Sequence, residues 1–410
     1  SKAMSLMAAL IIAAIFESAG AIIAGGDVVS TISKGIVDPK QVSDANTFVW
    51  AMMAALLSCA IWVNLATWLG APVSTTHSVV GGVMGSGIAA AGVSVVNWGV
   101  MGAIAASWVI SPVLGGGIAA LFLWFIKSNI IYQDDKIAAA RKWVPILVSI
   151  MLAAFTCYLV MKGLKKVWKP DFSVVAMLGL AVFGLSVLVL RPIIRAQSQG
   201  MENRNQSLRK LFHIPLIFSA MLLSFAHGAN DVANAVGPLA AILHTIQSGS
   251  VDAKVGIPLW VMMIGAFGIS LGLFLYGPKL IKMVGEQITK MNPMRAFCVA
   301  LSAAITVLIA SALGLPVSST HIAVGGVFGV GFLREYYTTH SRRRRTYLAR
   351  KAGNARFAQV QADERSEDEI VYRKLVRRSH FMTIIAAWII TVPATAVLAG
   401  ALYFLLRQMG

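Results

Sequence analysis

Residues 69–87 read LGAPVSTTHSVVGGVMGSG, and residues 313–331 read LGLPVSSTHIAVGGVFGVG. At this offset of 244, 13 of the 19 positions are identical, among them Pro-Val-Ser, Thr-His and the paired glycines. Chance similarity between two apolar segments would not reproduce that polar core, so the chain carries an internal duplication. Outward from these stretches the repeat continues. Ala106–Pro112 (ASWVISP) resembles Ala386–Pro393 (AAWIITVP), and, more weakly, Phe16–Gly25 resembles Phe267–Gly277 at an offset near 252.

The sequence around the duplication is apolar. Hydrophobic residues make up 57% of the 410 positions and charged residues 13%, with a mean hydropathy of +0.74. A soluble domain carries about a quarter charged residues, so an ordinary water-solvated surface is excluded. Apolar segments run approximately over 4–26, 46–69, 71–90, 96–126, 143–162, 172–190, 214–247, 256–277, 297–313, 317–333 and 381–406. Many approach the roughly 20 residues a helix needs to cross a bilayer. No strand-like alternation is present, and helices are the other way to satisfy backbone groups in lipid. The expectation is an all-α polytopic membrane protein. Residues 96–126 would form about 46 Å of straight helix, so a kink or break is expected at Ser111-Pro112. Residues 214–247 contain Gly228, Asn230, Asp231, Asn234, Gly237 and Pro238, which predicts a broken helix facing away from lipid.

The duplication divides the chain into repeat one (1–126), connecting helices and a basic loop (127–213), and repeat two (214–406), which holds a basic cytoplasmic loop at 334–380. Repeat two also carries His227–Pro238, HGANDVANAVGP. Shifted by 252, the partner of its Gly228 falls before Ser1. Repeat one is therefore expected to have a first helix, with a second copy of this motif, upstream of the sequence given. Charge sets the orientation. The net charge is +18, from 35 Lys and Arg against 17 Asp and Glu. If 46–90 and 297–333 are re-entrant hairpins with the PVS[ST]TH stretches at their tips, and 191–213 is cytoplasmic, only eight of the 35 basic residues remain outside. The positive-inside rule favours that arrangement. Equivalent segments then cross in opposite directions, giving two inverted-topology repeats with re-entrant hairpins and broken helices, an architecture of secondary transporters.

The polar motifs carry the chemistry. In GANDVAN (228–234), Asn230 and Asn234 share a helix face with Asp231 beside it. Asp231 and Glu17 are the acidic residues placed well inside the membrane, where a carboxylate needs a cation or a proton. An Asn-Asp-Asn oxygen cluster suits a hard cation such as sodium, and Glu17 is a candidate for ion coupling or for buried structural pairing. Ser74-Thr75-Thr76 and Ser318-Ser319-Thr320 follow a proline and read as helix starts. Free N–H groups, the dipole and added hydroxyls suit a tetrahedral oxyanion there. With no Lys or Arg in these stretches, a cation on Asp231 would balance the anion's charge, which is a physical basis for symport. His77 and His321 are expected to bond backbone within the hairpins, and the glycine pairs 81–82 and 325–326 to permit close packing. Cys59, Cys157 and Cys298 have no metal-ligand spacing and read as free thiols. The basic loop, sparse in aromatics, fits a membrane surface rather than nucleic acid. No cofactor fingerprint is present.

The paired PVS[ST]TH stretches together with GANDVANAVGPLAA resemble the inorganic phosphate transporter (PiT) family of cation-coupled symporters, over essentially the whole chain. The resemblance implies an integral membrane homodimer that carries inorganic phosphate with sodium, or with protons in other members, and is not an enzyme. It implies a phosphate site at Ser74, Thr75, Thr76, Asn230, Asp231, Ser318, Ser319 and Thr320. Sodium would sit at Asn230, Asp231 and Asn234. Sulfate permeation is the alternative within transport. An intramembrane hydrolase using Ser-x-Thr-His with Asp231 is the alternative outside it, disfavoured because a catalytic site rarely needs two copies of its motif.

Overall fold

The computed structural model describes residues 4–69, 73–163, 170–249, 257–287, 291–339 and 378–409, with side chains left out at 279–287, 338–339, 378–385 and 387–388. Helices dominate. They are α1 (Leu6–Ala24), α2 (Gly26–Lys34), α3 (Ala45–Leu69), α4 (Thr75–Ala91), α5 (Trp98–Ile126), α6 (Lys136–Tyr158), α7 (Phe172–Gln197), α8 (Asn205–Leu211), α9 (His213–Asp231), α10 (Ala233–Ser248), α11 (Leu259–Gln287), α12 (Pro293–Ala312), α13 (Ser319–Thr339) and α14 (Arg378–Met409). Among the described residues nine helical stretches are long and apolar enough to cross a membrane. This is a multi-pass membrane protein, and the many large apolar side chains left on its outside, such as Leu180, Val189 and Phe267, are what a lipid-facing surface requires.

Local chemistry sets the helix starts. Asn97, Asp135 and Asn292 accept hydrogen bonds from the N–H groups of Val100, Ala138 and Arg295 at 3.2, 2.8 and 3.0 Å, the usual N-cap arrangement. The expected break within 214–247 falls at Val232, between α9 and α10. The expected break at Ser111-Pro112 does not occur: α5 runs through Pro112 and continues as a π turn over Lys127–Ile131. Proline is tolerated inside a spanning helix where neighbours hold its surroundings, and α13 lies tightly on this turn. A side chain at Gly325 would collide with the Pro112 carbonyl.

The halves interlock. α4 packs along α14 and α13 along α5, while α3 and α12 take matching positions against α14 and α5. The paired glycines make these approaches: Gly81 faces Val392 and Thr395, Gly85 faces Ala396, and Gly329 faces Gly116. Each hairpin arm thus rests on a long helix of the other half. The weakly related helices α1 and α11 run antiparallel, with Leu10 near Gly277 and Gly25 near Met262. Between those contacts the Ser18 and Ser270 hydroxyls hydrogen-bond at 2.9 Å. Those serines are 252 positions apart, and the His77 and His321 rings, 244 apart, meet edge-on at 4.7 Å. Both contacts bring together positions that the repeat offsets align.

Candidate functional site

The broken helix α9–α10 supplies the centre of the site, and the tips of both hairpins close on it. Asp231 ends α9. The Thr75 and Ser319 hydroxyls both donate to its Oδ2, each at 3.4 Å. These residues occupy the same position in the two copies of the repeated motif, one from each half. Asn234, one turn on, donates to the Thr75 and Thr76 hydroxyls at 3.1 and 3.3 Å. Thr76 in turn donates to the Val317 carbonyl at 3.0 Å, tying the first tip to the second. The Asp231 Oδ1 and the Asn234 Oδ1 are buried with no hydrogen-bond partner among the described residues. Two such oxygens, one from a carboxylate and one from an amide, are what a hard cation takes as ligands.

Asn230 does something else. Its amide nitrogen donates to the Ser311 hydroxyl at 2.9 Å and the Leu315 carbonyl at 3.1 Å, and its Oδ1 accepts from the Val317 N–H at 3.1 Å. Both amide protons are spent on the second tip, so Asn230 has none to give an anion. Thr31 adds a second brace, donating to the Gly314 carbonyl at 2.7 Å, where the chain turns with φ +68, a backbone conformation glycine adopts without strain. Ser74 and Ser318 cap α4 and α13, accepting from the His77 and His321 N–H groups at 3.2 and 3.3 Å. Thr320 stands apart: it is exposed at the start of α13, whereas its counterpart Thr76 is fully buried.

Behind Asp231 lies a chain of charge. His227 presents Nε2 to the Asp231 Oδ2 at 3.2 Å and Nδ1 to the Glu17 Oε1 at 3.0 Å. A neutral imidazole donates from one nitrogen only, so bonding both carboxylates requires an imidazolium or a protonated carboxyl. Glu17 is held there because α1 crosses α9 at close range: a side chain on Gly228 would collide with the Glu17 backbone, and one on Gly20 with the Phe225 carbonyl. The sequence flagged Glu17 and Asp231 but not the histidine between them. Its one signal was spacing, since His227 and Asp231 are an i, i+4 pair on one helix face. His77 differs from expectation. Neither ring nitrogen of His77 bonds backbone. Instead the ring packs on Trp108 at 3.8 Å between centroids, and the Trp108 indole donates to the Pro316 carbonyl at 3.1 Å. Crowding of both tips at one point gives the His77 ring Trp108 and His321 as its neighbours.

Duplicated hairpins closing on a carboxylate with one enclosed oxygen, within a multi-pass helical protein, fit a membrane transporter. Residues 1–399 match the phosphate transporter family, and the chain belongs to that family. A relative from Helicobacter pylori (strain J99), named "Putative phosphate permease", is 47% identical over 98% of this chain and 84% of its own length. A relative of the same description from Pyrococcus abyssi is 38% identical over 80% of each chain. Among solved structures, one titled "The sodium-dependent phosphate transporter" superposes with a TM-score of 0.84 at 33% identity, covering all of this chain and 92% of that one.

Proposed function

We propose that this phosphate transporter is a sodium-coupled symporter of inorganic phosphate, with its substrates bound where the two hairpin tips meet Asp231. The carrying observation is that Thr75 and Ser319 both spend their hydroxyl protons on one carboxylate oxygen. A hydroxyl has a single proton to donate. While the carboxylate holds it, these groups cannot serve an anion. Sodium on Asp231 and the Asn234 carbonyl would compensate the carboxylate's charge and release both protons toward phosphate. Phosphate, once bound, returns negative charge beside the cation. Each ion thereby improves the site for the other, which is coupling in the thermodynamic sense. Thr75 and Ser319 carry the phosphate together with the first N–H groups of α4 and α13; Thr76, whose proton goes to the Val317 carbonyl, ties the two tips together, Ser74 and Ser318 shape those helix starts, and Asn230 holds the second tip in place. The antiparallel α1 and α11 support inverted repeats, and with them alternating access by movement of one half against the other. The homodimer implied by the resemblance belongs to the same proposal.

The test is uptake of labelled phosphate into proteoliposomes carrying the full-length protein. Inward sodium should stimulate uptake over potassium, and Asp231→Asn should abolish the stimulated part while the protein still elutes as a folded species. Uptake indifferent to both sodium and a proton gradient would overturn symport. Competition by sulfate but not arsenate would reassign the anion. The Glu17–His227–Asp231 chain supports a second reading, proton coupling, which predicts uptake driven by an inward proton gradient in sodium-free buffer.

A further inference from the structure

Lys162 joins three distant parts of the chain, and the transport chemistry at Asp231 does not use it. It lies in the π turn Leu159–Gly163 that follows α6, between the two copies of the repeated motif. That turn is seated against α1, where a side chain at Gly163 would meet Ile23. The Lys162 ammonium donates to the Asp27 Oδ2 at 2.9 Å, in the first turn of α2, and to the Ala312 carbonyl at 2.8 Å, at the last residue of α12. Both partners suit a cation. Asp27 offers a carboxylate, and Ala312 offers a carbonyl at the negative pole of a 20-residue helix. Thr31, one turn beyond Asp27 on α2, donates to the Gly314 carbonyl. The segment 312–314 is thus fastened to α2 at both ends, just before the chain enters the tip that carries Ser318 and Ser319.

Exposure separates this contact from the others at the tip. Asn230, Thr76 and Val317 are buried, whereas the Lys162 and Asp27 side chains are 25% and 40% exposed. Water takes over the bonds of such a pair at little cost, so the pair can open and re-form while the buried contacts need a larger rearrangement. It also lies toward one end of the molecule. α6 begins at Lys136, beside Asn203, and Lys162 follows its other end, while α2 leads on to Val37, which pairs with Val96 at the start of α5. We propose that Lys162 is a positioning residue of the transport cycle: an outer latch, closed in this structure, that holds the second hairpin tip to α2 and releases it when the site opens toward the Lys40 end. Alternating access opens the site to one side at a time. A bridge from repeat two to α2 stabilises the arrangement closed on that side, and its loss shifts the population toward the open one. The effect falls on turnover, since the site closes on one side before it empties on the other. Lys162 bonds Asp27 and Ala312 rather than Asp231 or Ser319, so phosphate affinity is not what it sets.

The inference rests on the alternating-access reading and not on sodium at Asp231. Full-length protein in proteoliposomes is assayed for labelled phosphate uptake under the cation gradient that drives the wild type. Lys162→Met should lower the maximal rate at least fivefold without raising the KM for phosphate, and Lys162→Arg should keep at least half of the wild-type rate. An unchanged maximal rate in Lys162→Met, or a raised KM with the rate intact, would overturn the latch. A second arm decides the matter where Lys162→Met does not fold. With Cys59, Cys157 and Cys298 replaced by alanine, Asp27→Cys and Lys162→Cys are bridged by a short reducible bis-methanethiosulfonate, and mass spectrometry confirms the link. Linking should stop the uptake that the unlinked double variant retains, and reduction should restore it. Undiminished uptake by the linked protein would make the contact a static brace and sink the proposal. Wild-type protein that takes up no phosphate would count against the transport reading itself, whereas a linked protein that transports counts against the latch alone.

Discussion

Thr75 and Ser319 illustrate how far a single atom can decide a mechanism. Each hydroxyl donates to the Asp231 Oδ2, but Thr75 also accepts the amide proton of Asn234, while Ser319 has no second bond of this kind in the cluster. Ser319 is thus the cleaner probe. Hydrogen bonds to charged groups contribute about 1.5–3 kcal/mol, and about 1.4 kcal/mol is tenfold in affinity. Ser319→Ala should raise the KM for phosphate at least tenfold with a smaller effect on the sodium concentration for half-maximal uptake. Initial-rate uptake at varied phosphate and fixed sodium measures this. A shift confined to sodium dependence would place Ser319 on the cation instead.

At the scale of elements, the sequence made the actors legible but not their partners. Repetition exposed the two hairpins, and the polar run within an apolar segment exposed the broken helix, because both are patterns along the chain. Hydrogen bonds such as Asn230 to Leu315 or Thr31 to Gly314 join residues whose spacing carries no periodic signal, so the sequence offered Asn230 as a ligand without showing that its protons brace a turn. Thr320 looked equivalent to Thr76 because the motifs align, yet the two tips do not meet symmetrically around one broken helix, and only Thr76 is enclosed. The α1–α9 crossing was likewise hidden, since a glycine shows in the sequence but the helix facing it does not. That crossing sets the distance from Glu17 to His227. Gly228→Ala would push a methyl group into the Glu17 backbone, and overpacking of this kind costs about 1–3 kcal/mol. The variant should melt several degrees lower in detergent. It should also lose sodium-stimulated uptake more than Gly268→Ala, where a side chain meets open space.

Across the whole molecule, the +18 net charge acquires a direction. α5 is 29 residues long, so its ends stand about 43 Å apart. At its start, the Asp38 N–H donates to the Val95 carbonyl at 2.8 Å, and Asp38 in turn accepts from the Lys40 N–H at 3.1 Å. At its far end, Lys127 shares a cavity with Arg209, Arg295 and Arg334. The Asn203 side chain there accepts from the Lys136 N–H at 3.0 Å, and Arg141 donates to the Ser198 hydroxyl at 2.6 Å. Lys127, Lys136, Arg141, Arg209, Arg295 and Arg334 therefore converge at one end, the end that positive-inside reasoning assigns to the cytoplasm. The exposed residues Lys40 and Arg204 mark opposite ends of that 43 Å. With Cys59, Cys157 and Cys298 replaced by alanine, the thiol introduced by Lys40→Cys should react with a membrane-impermeant maleimide on intact cells. The thiol introduced by Arg204→Cys should react only after the membrane is opened. Reaction of both from the same side would break the inverted arrangement, because no bilayer could then cross α5 between them.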